Sequence, residues 1–192
     1  MRDLEIRGAG SILGEMQHGH MDEVGYDMYC RLLDEVVKEM KGIEVIEEQD
    51  VQIDINISSY IPEEFAQDSN QKIEIYQNIA LCRREEDIRN VIDEIIDRYG
   101  KLPSEIENLT QVARIKNKAR EIGVTKITEK NKGIVFHFGS EYFKMEWIDI
   151  LVNKYKNRIK FSPAKEPYIT YTLKNEENKL KEVQEFLDCC IL

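Results

Sequence analysis

Residues 124–138 read VTKITEKNKGIVFHF, and this stretch decides the class of fold that the sequence predicts. Val124 and Ile127 belong to one apolar segment, and a second runs from Ile134 to Phe138. Between them, the residues Asn-Lys-Gly at 131–133 have the composition of a tight turn, which predicts a β-hairpin. Because a group of helical segments precedes this hairpin, we expect an α+β fold rather than a doubly wound sheet.

The clearest helical segment before the hairpin ends at Gly100. Its apolar residues recur at steps of three and four, which predicts an amphipathic helix with these side chains turned inward. They are Ile88, Val91, Ile92, Ile95, Ile96 and Tyr99. The outward face of the same helix carries Asp93, Glu94, Asp97 and Arg98.

Two further helices flank this segment. One begins near Asn70, with Asp68 or Ser69 as its N-cap, and the other runs from Pro103-Ser104 to Ile122. Gly123 ends the second of these helices.

The remaining segments complete the predicted architecture. We expect a helix over 26–40 closed by Gly42, a half-buried strand over 51–57, and a domain boundary near Gly42. Residues 1–42 would then form a helical arm with a glycine-rich loop, and residues 43–192 a compact domain of mixed helix and sheet. After the hairpin we expect a helix near 145–154, strands at 158–161 and 168–173, and a final helix near 176–190.

Charge is unevenly distributed along the 192 residues, whose formal net charge is −10. Residues 1–42 carry 5 basic and 9 acidic side chains, residues 43–100 carry 5 and 15, and residues 101–192 carry 17 and 13. The acidic middle segment would repel a phosphate backbone, so a basic protein partner suits it better. No apolar run is long enough to span a membrane and no signal peptide opens the chain, so we expect a cytoplasmic protein.

Motifs for autonomous catalysis or metal binding are weak. Gly8, Gly10 and Gly14 depart from the spacing of nucleotide-binding loops, and neither a third histidine nor a cysteine lies close to His18 and His20. The pair Asp93 and Asp97, one turn apart, lies on an exposed face that favours solvated, ionised groups. The four cysteines show no paired spacing and are expected to be reduced and packed. We therefore expect no metal, no cofactor and no catalytic residue in this chain.

Nucleic-acid binding is the alternative function. Basic residues cluster over 114–120 and again over 154–160, and either stretch could contact phosphate, with the glycine-rich arm assisting. The competing interpretation is a solvated helical face in which these cations are interleaved with acids.

Several motifs resemble one family of bacterial proteins. Two stretches are similar to the translocation motif that follows the second motor lobe in RecG-like proteins. They are RDLEIRGAGSILG at 2–14 and VGYDMY at 24–29. The stretches YIPEEF at 60–65, KIEIY at 72–76 and IDRYGKLP at 96–103 resemble the C-terminal domain of the transcription-repair coupling factors, the Mfd family. The resemblance spans the chain, with the translocation motif over 1–42 and the terminal domain over 43–192.

The resemblance implies a role within a larger protein. Members of this family are double-stranded-DNA translocases that displace stalled RNA polymerase and recruit excision repair through UvrA, and ATP and magnesium bind in motor lobes that this sequence lacks. Arg7 and Gln17 match the functional arginine and glutamine of the translocation motif, and Gly8 and Gly10 let the chain bend beside them. A local ion pair of Arg7 with Asp3 or Glu5 remains the alternative for that arginine.

The same resemblance implies an interface in the terminal domain. In the family this domain packs on the protein's own UvrB-like module and masks the surface that binds UvrA. Glu94 and Arg98 match the interface pair, with Asp97 and Asp93 as neighbours. From the residues alone, an ordinary solvated face stabilised by Glu94 and Arg98 at i, i+4 is equally acceptable.

Overall fold

A five-stranded mixed sheet lies at the centre of the fold. The computed structural model describes residues 51–66, 69–163 and 165–191. The strand order is β1-β2-β3-β5-β4, and β1 pairs parallel to β2 while the other neighbours are antiparallel. The strands are β1 Gln52–Asp54, β2 Val124–Lys130, β3 Gly133–Phe138, β4 Ile159–Ser162 and β5 Tyr168–Thr172.

The predicted hairpin is present as β2 and β3. Its two-residue connection places Asn131 at φ 47° and Lys132 at φ 62°, the backbone that matches the twist of the flanking strands. Together with the helices before it, this hairpin confirms the predicted α+β fold.

Five α-helices surround the strands within the described residues. They are α1 Ser69–Leu81, α2 Glu85–Tyr99, α3 Ser104–Glu121, α4 Glu146–Tyr155 and α5 Lys179–Asp188. Single 3₁₀ turns at Lys156–Arg158 and Glu176–Asn178 precede β4 and α5. Each described helix lies where the sequence predicts one.

Two boundaries differ from the predictions. The strand expected over 51–57 pairs only at Gln52–Asp54, although Ile55 and Ile57 still pack against the core. The last helix was expected from residue 176, but Asn175 accepts a hydrogen bond from the Glu177 N–H and starts a 3₁₀ turn there. Local side-chain bonding of this kind competes with a regular helix, and α5 begins at Lys179 instead.

The described residues form two apolar cores that share one helix. The helical core packs α1 and α2 on the first half of α3, and the sheet core packs α4, α5 and the second half of α3 on one face of the sheet. Ile106 and Leu109 of α3 lie in the helical core, while Ile115 and Ala119 lie in the sheet core. Because α3 contributes buried residues to both, it joins the two halves.

A tight connection links α3 to β2 at Gly123. The residue has φ +72°, and a Cβ atom at this position would collide with the Tyr142 side chain. Both the positive φ and the lack of room for a Cβ atom favour glycine here, and they explain the predicted helix end at Gly123.

The remaining fold predictions divide into those inside and those outside the described residues. Cys82, Cys189 and Cys190 are free and buried, as expected. None of the described helices is long and apolar enough to cross a membrane. The predicted arm over 1–42, its helix, Cys30 and the boundary near Gly42 lie outside the described residues.

Candidate functional site

Helix α2 is fixed at both ends, and this orients its charged face. The Asp87 carboxylate accepts hydrogen bonds from the backbone N–H groups of Arg83 and Arg84 at 3.1 and 2.9 Å, which satisfies donors at the helix start. These backbone hydrogen bonds hold the pKa of Asp87 below its usual value. At the other end the Gly100 N–H donates to the Ile96 carbonyl oxygen at 2.8 Å with φ +86°, which stops the helix.

Burial of one side of α2 turns its charges to solvent. Ile88 and Ile95 are 2% and 4% exposed in the helical core. On the opposite side Asp93, Glu94, Asp97 and Arg98 are all exposed. We call these four residues together with Glu74 and Ile96 the α2 face.

Arg98 is the centre of an ion-pair network on the α2 face. Its guanidinium lies 3.3 Å from the Glu94 carboxylate one turn earlier on α2 and 3.2 Å from the Glu74 carboxylate on α1. The hydrogen bond and charge of Glu74, followed by the charge of Glu94, raise the pKa of Arg98 above its usual value. Asp93 and Asp97 form no salt bridge with any described residue, so the face retains acidic groups for a partner.

Glu74 was missed by the sequence predictions. It lies 24 residues from Arg98, and only the packing of α1 beside α2 brings the two side chains together. In the sequence, Glu74 is only an acidic residue within the KIEIY motif, and nothing local links it to Arg98.

Ile96 corrects the predicted orientation of α2. The sequence pattern placed it inward with five other apolar residues, but its side chain is 41% exposed. Adjacent residues on a helix are about 100° apart, so full burial of Ile95 carries Ile96 past the edge of the packed stripe. Ile96 is therefore an exposed apolar group at the edge of α2, on the flank nearer Asp93 than Glu94 and Arg98.

The translocation-motif residues cannot be placed. Arg7, Gly8, Gly10 and Gln17 lie outside the described residues, and their predicted role stays a prediction. His18 and His20 also lie there. Among the described residues, no cluster of three or more His, Cys, Asp or Glu side chains could hold a metal ion.

The basic stretch over 114–120 does not form an exposed cationic patch. Arg114 is bonded to the Glu85 carboxylate at 2.8 Å, Lys116 is only 9% exposed, and Lys118 pairs with Asp188. Arg120 donates to the Asn117 side chain at 3.2 Å. These contacts occupy the cations within the fold and disfavour this half of the alternative function.

The second basic stretch, over 154–160, is divided. Lys154 lies 2.7 Å from the Cys189 sulfur, and Arg158 donates to the Tyr171 hydroxyl at 2.9 Å. Lys156 and Lys160 are exposed. Of the four basic residues in this stretch, only Lys156 and Lys160 are exposed charges without a partner among the described residues.

A buried polar cluster was also missed by the sequence predictions. Glu182 on α5 is 9% exposed and accepts hydrogen bonds from the Tyr171 hydroxyl and from the backbone N–H groups of Lys174 and Asn175. Its only signal in the sequence is an acid four residues before Phe186, on the apolar side of a helix. These contacts anchor the turn before α5, and we assign the cluster to stability.

Two comparisons define the class of domain. Residues 55–146 match the TRCF domain family. The fold matches the crystal structure of the C-terminal domain of a transcription-repair coupling factor with a TM-score of 0.67 and 18% identity, over 74% of this chain and 92% of that one. The described residues therefore form an α+β domain of the TRCF type.

Sequence relatives then identify the family. The chain is 43% identical over 136 residues, 70% of its length, to the transcription-repair-coupling factor of Staphylococcus haemolyticus. It is 33% identical over 182 residues, 94% of its length, to that of Borreliella burgdorferi. The chain belongs to the transcription-repair coupling factor family, and it spans 12% and 16% of the length of these two relatives.

Proposed function

We propose that this chain is a regulatory, non-catalytic part of a transcription-repair coupling factor that acts in the cytoplasm in transcription-coupled excision repair. Its α2 face docks on the UvrB-like module of the same protein and masks the surface that UvrA binds. The observation that carries this proposal is the exposed network of Arg98 with Glu74 and Glu94.

The composition of the α2 face suits a reversible contact. Ile96 adds an exposed apolar side chain on the flank of α2 away from Glu94 and Arg98, and the charges supply a polar rim, as in interfaces between soluble proteins. Exposed ion pairs contribute only about 0–1 kcal/mol each, so such a rim gives specificity without making the contact permanent. A contact of this strength can be displaced when the full protein engages stalled RNA polymerase.

The charge of the α2 face indicates a basic partner surface. Its acids, Glu74, Asp93, Glu94 and Asp97, outnumber its one cation, Arg98. Asp93 and Asp97 have no salt-bridge partner among the described residues, so an arginine or lysine of the partner could pair with them without breaking an existing contact.

The arm has a separate role in the proposal. Arg7 and Gln17, with Gly8 and Gly10 beside them, would couple ATP hydrolysis in the motor lobes to stepping on duplex DNA. ATP and magnesium would bind in those lobes, so the pure 192-residue chain is expected to hydrolyse no ATP. ATP hydrolysis by the purified chain itself would contradict this part of the proposal.

Charge reversal in the full coupling factor tests the docking. We expect Glu94→Lys to release the α2 face, because it turns a cation toward the basic partner surface. Arg98→Glu should release it by a different route, because it removes the cation that holds Glu74 and Glu94 and leaves three carboxylates side by side. The measurements are capture of UvrA and basal ATPase rate, both of which should rise. Glu121→Lys is the matched control, since Glu121 is exposed at the end of α3, away from the α2 face. Folded variants with wild-type capture and ATPase would refute the assignment.

A further inference from the structure

The central sheet has a second face that none of the described helices covers. Side chains alternate along each strand, and Ile127, Phe136 and Ile169 point into the sheet core, where Phe136 stacks on Phe186 of α5 with ring centroids 4.1 Å apart. Their neighbours along the strands point the other way and none belongs to that core. We call this surface the outer sheet face: Lys126, Thr128, His137, Lys160, Tyr168 and Thr170. Val135 lies on the same face between Thr128 and Thr170 and is 8% exposed, so the accessible part of the face is formed by the residues around it.

Two aromatic rings lie side by side on the outer sheet face. His137 of β3 pairs with Tyr168 of β5, and their ring centroids are 5.5 Å apart with an angle of 36° between the planes. Both side chains are half-buried, so one face of the pair can be reached by solvent. Burial first, and then the charge of Lys126, lowers the pKa of His137, while Glu166 opposes this. The lowered pKa favours the neutral ring, which is suited to stacking.

Lysines flank the ring pair on both sides. Lys126 of β2 is paired with His137, and Lys160 of β4 is paired with Thr170, the second residue after Tyr168. Both lysines are exposed, and neither forms a salt bridge with any described residue. Acids nearby are Asp54 at the far edge of the sheet and Glu166 before β5, so the rings lie between two unengaged cations.

We propose that the outer sheet face binds single-stranded nucleic acid, with bases stacking on Tyr168 and His137 and phosphates contacting Lys126 and Lys160. Open antiparallel sheets that carry exposed aromatic rings stack two or three unpaired bases in this way. The arrangement spans four adjacent strands, or about 14 Å at the usual strand spacing. A duplex keeps its bases stacked on each other and offers no free base plane to these rings.

This inference does not depend on the proposed function. The residues lie on the sheet, whereas the α2 face belongs to the helical core, and the two surfaces share no residue. It also differs from the alternative considered from the sequence, because most cations of the basic stretches are engaged within the fold and only Lys160 is common to both.

Binding is measured by fluorescence anisotropy of a labelled oligothymidylate of about twelve nucleotides titrated with the 192-residue chain at several salt concentrations. We expect saturable binding that weakens with salt. Tyr168→Ala should weaken binding about tenfold, because it removes one stacking platform. Tyr168→Phe keeps the ring and should bind within about twofold of wild type. Thermal melting establishes that each variant is folded.

Lysine variants keep the test informative even if Tyr168→Ala does not fold. Lys126→Gln and Lys160→Gln should each reduce the slope of log affinity against log salt by about 0.7, the value for one phosphate contact on a single strand. Lys181→Gln, at an exposed position on α5 behind the sheet, is the matched control and should leave the slope unchanged.

Four results would overturn the inference. They are no binding at low salt, equal binding by the lysine variants and the control, binding of duplex DNA as tight as that of the single strand, and displacement of the oligonucleotide by polyglutamate at equal charge. The last result would identify an acidic polypeptide as the ligand.

Discussion

At the scale of single residues, Glu182 shows how a buried acid can stabilise a fold. Its carboxylate receives the Lys174 N–H at 2.9 Å, the Asn175 N–H at 2.9 Å and the Tyr171 hydroxyl, and Arg158 lies 3.9 Å away. Burial alone would raise its pKa, but these donors outweigh burial and lower it. Burial and the bond to Glu182 together raise the pKa of Tyr171 to about 12, so the tyrosine stays a donor.

Replacing this carboxylate gives the first prediction. Glu182→Gln should lower the free energy of unfolding by about 2 kcal/mol, because the amide nitrogen cannot accept the backbone N–H groups and leaves a buried donor unpaired. Urea denaturation at neutral pH measures the loss. Glu185→Gln, at an exposed position on the same helix, is the control and should change stability by less than about 0.5 kcal/mol.

The same variant makes a prediction about pH. A folded pKa below the ordinary value means that the carboxylate stabilises the protein above its ordinary pKa, and that this stabilisation is lost as the pH falls through the lowered pKa. The stability difference between wild type and Glu182→Gln should therefore be full at neutral pH and shrink in acid. A difference that grows on acidification would contradict the lowered pKa.

At the scale of one element, α2 separates residues that stabilise from residues that are available for binding. Ile95 and Ile96 are neighbours of identical chemistry, yet they are 4% and 41% exposed. The amphipathic pattern correctly predicts the helix and its buried stripe. It assigns both isoleucines to one face because a period of 3.6 residues does not define where the packed stripe ends.

This pair gives a prediction with a built-in control. Ile95→Ala should destabilise the domain by about 2–5 kcal/mol through loss of buried surface and a residual cavity. Ile96→Ala should cost less than about 1 kcal/mol, since much of that side chain is already in water. Chemical denaturation of both variants measures the difference. Equal losses would show that Ile96 is packed in the interior and would remove it from the α2 face.

How far an element can be predicted depends on how local its causes are. Gly100 and Gly123, the Asn131-Lys132 turn and the periodic apolar residues act within a few positions, and the predicted helices and hairpin follow from them. The pairing of β1 with β2 joins residues more than seventy positions apart, and no local pattern indicates that the ladder is parallel or ends at Asp54.

The candidate site was predictable to a similar extent. The exposure of Glu94, Arg98, Asp93 and Asp97 follows from the helical period. The second partner of Arg98, Glu74, depends on how α1 packs beside α2. The basic stretch over 114–120 illustrates the opposite case, because its cations are clustered in sequence but engaged by Glu85 and Asp188 from distant helices.

At the scale of the whole molecule, α3 couples the two cores. Leu109 is fully buried in the helical core, and Ile115, less than two turns later, is fully buried in the sheet core. A helix is cooperative along its length, so loss of packing at one end weakens the other. We infer that the two halves of the described fold unfold together.

The single tryptophan makes this coupling measurable. Trp147 is 2% exposed in the sheet core, so its fluorescence reports on that half alone. Leu109→Ala removes about 2–5 kcal/mol from the helical core, and we expect the Trp147 transition to shift to lower urea together with the circular dichroism transition. Two separate transitions, with Trp147 unmoved, would show that the halves are independent.

The short strand β1 has a mechanical consequence. It runs parallel to β2 at the sheet edge, and just beyond it Lys179 bonds both the Asn56 carbonyl oxygen at 2.9 Å and the Glu129 carboxylate at 2.7 Å. Tension on the chain before Val51 pulls along this strand and loads its ladder bonds in shear, all at once, rather than peeling them apart singly. These few contacts would therefore transmit force between the described fold and the part of the chain before Val51.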